Sequence, residues 1–200
     1  MTARTILVLL PAVIGLGCAR PPAPPPRDLP RTVAVLPPSN HSGDPLLVSG
    51  ASFFERYALR TDRVTVPDVL AAEARLQLER RGFVPVAPET VEAAAQGHAP
   101  GSTESAGDIA RHGGLEGVVL WMDVRRWEPD APTHPAFVIV GLTAELIDVS
   151  SGRVRWHAER RPAPVPTPGA VNVGDAYVTA ARKVVPEVLA PLGPERPAER

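Results

Sequence analysis

The chain has 200 residues, with 21 Lys and Arg against 22 Asp and Glu, so its formal charge is −1. This balance gives no electrostatic signal for nucleic acid or for an anionic membrane surface, and the single cysteine excludes an intramolecular disulfide and a thiolate-rich metal site. Proline supplies 25 of the residues, more than twice the usual share of about 5 %.

Residues 1–17 are predicted to be a secretory signal peptide. Arg4 gives the start a positive charge, and residues 6–17 form an uncharged, mostly apolar run. This run is shorter than the about 20 residues that a bilayer-spanning helix needs. Small residues close it, as they do in secretory signals.

The only cysteine, Cys18, follows this run directly, in the sequence GLGCA at residues 15–19. This resembles the lipobox of bacterial lipoproteins, in which the cysteine is diacylated and becomes the mature N-terminus. Gly17 fits the pattern, whereas Gly15 stands where that family usually has leucine; cleavage by ordinary signal peptidase is the alternative. The resemblance implies a membrane anchor at Cys18, and Ala19 after it resembles an outer-membrane sorting signal.

Residues 18–31 are predicted to be the lipidated end of a proline-rich tether. Six prolines lie within residues 21–30, a composition that favours an extended polyproline II conformation. About 13 such residues, at about 3.1 Å each, reach at most about 40 Å from the lipid. At the other end of the chain, residues 193–200 are predicted to be a disordered tail.

Residues 32–192 are predicted to form one α/β domain. Thr65 as N-cap and Asp68 three residues later predict a helix start, and Gly82 predicts its end. Strands are predicted at residues 32–36, 83–86, 117–127, 136–149 and 153–160, and further helices at residues 89–95, 105–112 and 174–192.

This order predicts a mixed sheet of about five strands with flanking helices. A parallel β-α-β unit begins the sheet and an antiparallel hairpin ends it. Residues 162–168, in which every second residue is proline, are predicted to form a spacer between the last strand and the last helix.

Two motifs carry a resemblance to known proteins: residues 33–43 (VAVLPPSNHSG) and residues 146–156 (LIDVSSGRVRW). They are similar to a small family of envelope lipoproteins of unknown function, related to a neisserial vaccine-candidate lipoprotein. Its wider relatives include lipoprotein activators of penicillin-binding proteins, the curli secretion lipoprotein and the N-terminal domain of TolB. The resemblance implies an α/β fold over residues 32–160, whereas the short tether and the lack of a second long hairpin separate this chain from the activators and the curli pore.

No catalytic motif stands out in the sequence. The histidines form no H-E-x-x-H pattern, and the phosphate-binding glycine loops are missing. His112, followed by Gly113 and Gly114, is similar to an esterase oxyanion loop, or it marks a helix C-cap; no G-x-S-x-G nucleophile elbow accompanies it. We therefore expect no catalytic residues, no metal and no cofactor.

Residues 40–63 form a long connection of the kind that often carries function. Phe53, Phe54 and Tyr57 lie close together in it, and Phe53 and Tyr57 would share one face of a helix. They are either a lid packed on the core or an exposed aromatic anchor for a partner protein. A set of arginines, at positions 125, 126, 153, 155, 160 and 161, is either a patch for an anionic partner or part of a solvated sheet face.

These features predict a non-enzymatic lipoprotein of the bacterial cell envelope, held through Cys18 on the inner leaflet of the outer membrane and facing the periplasm. Its expected partners are the membrane and another protein of a secretion, transport or cell-wall complex, without nucleic acid; an oligomer is compatible with the sequence. The alternative is a lipid-tethered hydrolase with an unrecognised Ser/His/acid site.

Overall fold

A computed structural model of the chain describes residues 26, 28–48 and 64–193. Cys18 and the aromatic set Phe53, Phe54 and Tyr57 lie outside the described residues. The described strands are β1 (Thr32–Val35), β2 (Ser39–Asn40), β3 (Leu47–Val48), β4 (Val64–Thr65), β5 (Val84–Pro85), β6 (Val118–Pro129), β7 (Phe137–Asp148) and β8 (Val154–Pro166). The described helices are α1 (Val66–Arg80), α2 (Pro88–Ala95), α3 (Thr103–His112) and α4 (Val173–Leu189), followed by a 3-10 helix at Ala190–Leu192.

The main sheet has the strand order β5-β1-β6-β7-β8, with β2 also paired to β6. β1 runs parallel to β5 and β6, and β6, β7 and β8 are antiparallel. The predicted mixed sheet with a parallel start and an antiparallel end is therefore confirmed. A separate antiparallel pair, β3 and β4, was not predicted.

Helices pack on both faces of the main sheet. The larger core joins α1 and α4 to one face, through residues such as Leu70, Leu142 and Val184. The smaller core joins α2 and α3 to the other face, through residues such as Ala106 and Trp121, and it includes no residue of β8.

The part of that second face that lies outside the smaller core is here named the open face. It consists of Asp123 on β6, Thr143 and Glu145 on β7, and His157 and Glu159 on β8. Their strand neighbours, among them Met122, Ala144 and Ala158, lie in the larger core. Because side chains alternate along a strand, the five residues point to the opposite side.

The first turn of α1 has the predicted capping arrangement. The Thr65 N–H donates to Asp68 Oδ2 at 2.7 Å, and Thr65 Oγ1 accepts from the Asp68 N–H at 3.4 Å. Two backbone groups that would otherwise lack partners are satisfied in this way. Leu70, Ala74 and Leu78, which share one face of this helix, are fully buried.

The turn between β7 and β8 is held by Asp148, within the second of the two strand motifs. Asp148 Oδ1 accepts from Ser150 Oγ at 2.6 Å and from the Ser151 N–H and Oγ, both at 2.9 Å. These hydrogen bonds, that of Ser150 first, hold the pKa of Asp148 below its ordinary value of 3.8. The carboxylate therefore stays charged and keeps the hairpin turn closed.

The structure corrects the spacer predicted at residues 162–168, because the first three of its four prolines lie inside β8. The Thr167 N–H donates to the Ala136 carbonyl at 2.8 Å, and donors alternate between the two sides of a strand. The nitrogens of Pro164 and Pro166 therefore point away from β7. Proline has no N–H, and the outer side of an edge strand is where it can be accommodated.

The opposite edge of the sheet is built in the same way. The N–H groups of Val84 and Val86 donate to the carbonyls of Arg31 and Val33, both at 2.8 Å, so the nitrogen of Pro85 between them points outward. β5 and the proline-rich end of β8 thus lack donors on their free sides. Such edges resist pairing with a strand from another chain.

Restoring these donors is expected to make the protein self-associate. The double variant Pro164→Val, Pro166→Thr gives β8 two outward N–H groups, so sedimentation velocity should show dimers or larger species at concentrations where the parent chain shows none. Pro168→Val, beyond the end of β8, serves as the matched control. Unchanged sedimentation of the double variant would show that the prolines do not protect this edge.

Candidate functional site

The segment after β1, within the first strand motif, lies along β6 and builds the candidate site. Ser39 and Asn40 pair in parallel with Asp123 and Val124, and the His41 N–H donates to the Val124 carbonyl at 2.8 Å. The backbone of His41 is therefore fixed to the sheet.

Side chains on both sides of His41 hold the same segment. The buried Ser39 hydroxyl donates to the Pro100 carbonyl and accepts from Trp121 Nε1 at 2.9 Å. Asn40 Oδ1 accepts from Ser42 Oγ at 2.7 Å, and Asn40 Nδ2 donates to the Asp44 carbonyl at 2.7 Å. This second set closes a tight turn of the kind that asparagine favours.

A buried carboxylate lies at the centre of the site. The Asp123 side chain is 1 % exposed; its Oδ1 accepts from His41 Nδ1 at 2.6 Å and its Oδ2 contacts Arg125 Nε. A buried charge is costly unless it is paired. His41 provides a hydrogen bond and Arg125 an ion pair, whereas Oδ2 forms no hydrogen bond within the described residues. His41, Asp123 and Arg125 are here named the Asp123 cluster.

A second histidine and carboxylate lie on the same open face. The Glu145 side chain, 15 % exposed, is 3.2 Å from His157 Nδ1. Its other oxygen accepts from Thr103 Oγ1 at 2.7 Å. Glu145 lies opposite Trp121 on β6 and opposite His157 on β8, whereas Asp123 lies opposite Thr143. The Glu145–His157 pair is therefore two residues along the strands from the position of Asp123.

The arginines proposed as a patch do not gather in one place. Arg126 pairs with Glu128 at 2.7 Å, and Arg155 pairs with Asp28 at 2.7 Å near the β7–β8 turn. Arg160 pairs with Glu187 on α4. Of this set, Arg125 alone belongs to the Asp123 cluster.

The glycines after His112 end a helix, which was one of the two sequence predictions; the other was an oxyanion loop. Gly113 is the C-cap of α3, and His112 Nδ1 lies 2.9 Å from the Asp108 carbonyl. A cleft of about 330 Å³ lies beside them between α2 and α3 and is lined by His98 and Ser105 among others. The Asp123 cluster is not part of this cleft.

The described residues do not assemble a Ser/His/acid set at the Asp123 cluster, because the Ser39 hydroxyl is bonded to Pro100 and Trp121. Over residues 26, 28–48 and 64–193, no three His, Cys, Asp or Glu side chains are placed to share a metal ion. The helices of this part of the chain are all too short or too polar to cross a membrane.

The sequence interpretation missed the pairing of His41 with Asp123, which are 82 positions apart. One signal was available, since Asp123 is the first charged residue in the apolar run that begins β6. That position predicted a polar sheet face, but neither the depth of burial nor the partner.

Neither a family model nor a curated protein matches the chain. Among solved structures, the PelC dodecamer from Paraburkholderia phytofirmans is 22 % identical, with a TM-score of 0.49 over 85 % of this chain and 93 % of that chain. Lipoprotein GNA1162 from Neisseria meningitidis is 19 % identical, with a TM-score of 0.43 over 68 % and 81 % of the two chains. The C-terminal domain of LpoB from Salmonella enterica is 20 % identical, with a TM-score of 0.38 over 68 % and 82 %. The chain is thus similar to a neisserial lipoprotein, as its two strand motifs predicted.

Proposed function

We propose that this chain is a lipid-anchored, non-enzymatic component of a bacterial envelope complex and that its α/β domain binds a partner protein on the open face. The observation that carries the proposal is the open face itself. It is a sheet surface outside both hydrophobic cores, which α3 touches through the hydrogen bond from Thr103 to Glu145. It holds a buried carboxylate with two partly exposed groups beside it, His41 and Arg125. Partly exposed polar groups on a rigid scaffold are typical of binding surfaces.

The shape of the molecule favours a protein partner over a small substrate. The described cleft lies between α2 and α3, whereas the Asp123 cluster lies on a sheet surface. Proline removes the outward donors of β5 and of the end of β8, which disfavours strand addition at those places. We therefore propose a contact through the face of the sheet rather than through its edges.

The anchor is proposed from Cys18 and the proline-rich residues after it. The described chain begins close to the sheet: Asp28 Oδ2 is 2.7 Å from Arg155 Nη2, and Leu29 packs against the larger core. Only the residues between Cys18 and Asp28 then separate lipid from domain, or about 30 Å at about 3.1 Å per residue. This length favours a partner close to the membrane on the periplasmic side.

Loss of the cysteine is expected to release the protein from the membrane. Wild-type protein should fractionate with membranes, incorporate labelled palmitate and lack residues 1–17 by mass spectrometry, because acyl chains bind bilayers through their buried methylenes. Cys18→Ala should be unlabelled and soluble. A labelled, membrane-bound Cys18→Ala protein, or an unmodified Cys18 in the wild type, would contradict the anchor.

The aromatic residues Phe53, Phe54 and Tyr57 remain a proposed second contact for the partner. If they form it, Phe54→Ala and Tyr57→Ala will reduce partner capture while leaving the unfolding transition unchanged. Unchanged capture by normally folded variants would assign these side chains to the core.

A hydrolase is the second candidate function, and His41 bonded to Asp123 is the observation that favours it, since a carboxylate orients a histidine base in this way. A fluorophosphonate probe tests it. We expect no labelled serine, because the Ser39 hydroxyl is engaged by Pro100 and Trp121. A single labelled serine whose labelling requires His41 or His112 would instead support the hydrolase.

A further inference from the structure

We propose that the open face receives acidic side chains of a partner protein, with the guanidinium group of Arg125 as the group that holds them. This inference rests on the proposed function, and it specifies the chemistry of the partner. The evidence is that the buried carboxylates of this face lie beneath more exposed nitrogen-bearing side chains.

The carboxylates of the two pairs lie beneath their donors. The Asp123 side chain is 1 % exposed and that of Glu145 is 15 % exposed, whereas His41 and His157 are each 49 % exposed and Arg125 is 62 % exposed. A partner that approaches the sheet therefore meets Arg125 and the two histidine rings before it meets Asp123 and Glu145.

These donors have capacity that the described residues leave unused. Arg125 engages Asp123 through Nε, and its Nη1 and Nη2 atoms have no hydrogen-bond partner in the described part of the chain. Each histidine uses Nδ1 for its carboxylate, so its Nε2 can donate to a second group only when the ring carries both protons. The two Nη groups of an arginine form a fork that matches the two oxygens of a carboxylate.

The donors are also held in place before any partner arrives. Asp123 fixes Arg125 and His41, and the backbone of His41 is bonded to β6. Rigid donors lose less conformational entropy on binding than free side chains do. A carboxylate bound here is thus expected to contribute more than one bound by a solvated surface arginine.

One exposed acid on the open face should repel an acidic partner, so its removal should raise the affinity for that partner. Glu159 lies on the open face, opposite Thr143, and is exposed. Removing its charge should strengthen the binding of an acidic partner. Arg126, also exposed near this face, is already paired with Glu128.

The test uses the full mature chain and a fluorescent hexaglutamate peptide, with hexaglutamine as the uncharged control, followed by anisotropy. We expect the acidic peptide alone to bind, Arg125→Gln to weaken it about tenfold, and Arg125→Lys to weaken it less. Glu159→Gln should tighten binding. The matched control is Arg153→Gln, an exposed arginine before β8, which should leave the affinity unchanged.

Equal losses for Arg125→Gln and Arg153→Gln would show diffuse charge attraction and overturn the proposal. Binding of polygalacturonate in an Arg125-dependent manner, without binding of the peptide, would assign the face to acidic polysaccharide and also overturn it. If a partner still crosslinks to the open face of an Arg125→Glu variant at the wild-type level, this inference is wrong and the proposed function stands. If the open face yields no crosslink even in the wild type, the proposed function itself is wrong.

Discussion

Replacing Trp127 by alanine is expected to lower the free energy of unfolding by about 3 to 5 kcal/mol, the usual cost of removing a large aromatic side chain from a core. Trp127 lies on β6 and is 0 % exposed. Its ring meets Tyr177 of α4 edge to face, with centroids 6.4 Å apart and planes at 82°. The substitution therefore opens a cavity between the sheet and the helix that covers it.

Replacing Trp127 by phenylalanine separates the effect of the lost side-chain volume from the effect of the unsatisfied N–H group. Trp127 Nε1 is buried and has no acceptor in the described structure, and an unsatisfied donor costs about 1 to 3 kcal/mol. Trp127→Phe removes this donor along with part of the ring, so its loss should stay below about 1.5 kcal/mol. Urea unfolding of both variants measures the two effects, and an alanine variant as stable as the phenylalanine variant would show that Trp127 is not in the core.

Removing the carboxylate of Asp123 is expected to cost about 2 to 3 kcal/mol, because two charge-assisted contacts are lost at a buried position. The cost stays within this range because His41 and Arg125 are about half exposed and regain water as partners. Asp123→Asn keeps an acceptor for His41 and should cost less than Asp123→Ala.

Glu159→Ala is the matched control for Asp123→Ala, since Glu159 is an exposed acid on the same open face. Its effect on the free energy of unfolding should be within about 0.5 kcal/mol. Equal stabilities of the Asp123 and Glu159 variants would mean that Asp123 is solvated in solution and that the Asp123 cluster does not form.

Local patterns were sufficient to predict most helices and strands. Thr65 with Asp68 identified the start of α1, where both members of the capping box form. Alternation of apolar residues identified β6, because one face of this strand lies on the larger core. Such elements are determined by neighbours a few residues away, which a sequence displays directly.

The proline-rich end of β8 could not be predicted in the same way. A run with proline at every second position contradicts the pattern of a central strand. Whether those nitrogens face a neighbour or solvent depends on the order of strands in the sheet, and Pro164 and Pro166 are accommodated because β8 is an edge. This part of the proline excess belongs to the domain rather than to a linker.

The candidate site could be predicted only in part from the sequence, because it also depends on the order of strands in the sheet. The pairing of β2 with β6 brings His41 to Asp123, and a contact between such distant positions depends on the whole sheet. For Arg125 the sequence left two alternatives open, a patch for an anionic partner and a solvated sheet face. The burial of Asp123 follows from the fold, because β2 pairs beside it in the sheet and His41 bonds to its carboxylate.

Photocrosslinking from the open face tests most directly whether this surface binds a partner protein. A photoreactive residue at Thr143 lies on the open face, and one at Lys183 lies on α4, on the opposite side of the sheet. In cells carrying the lipidated protein, we predict one discrete protein adduct from position 143 and none from position 183. An adduct from position 183 alone, or none from either position, would contradict the account.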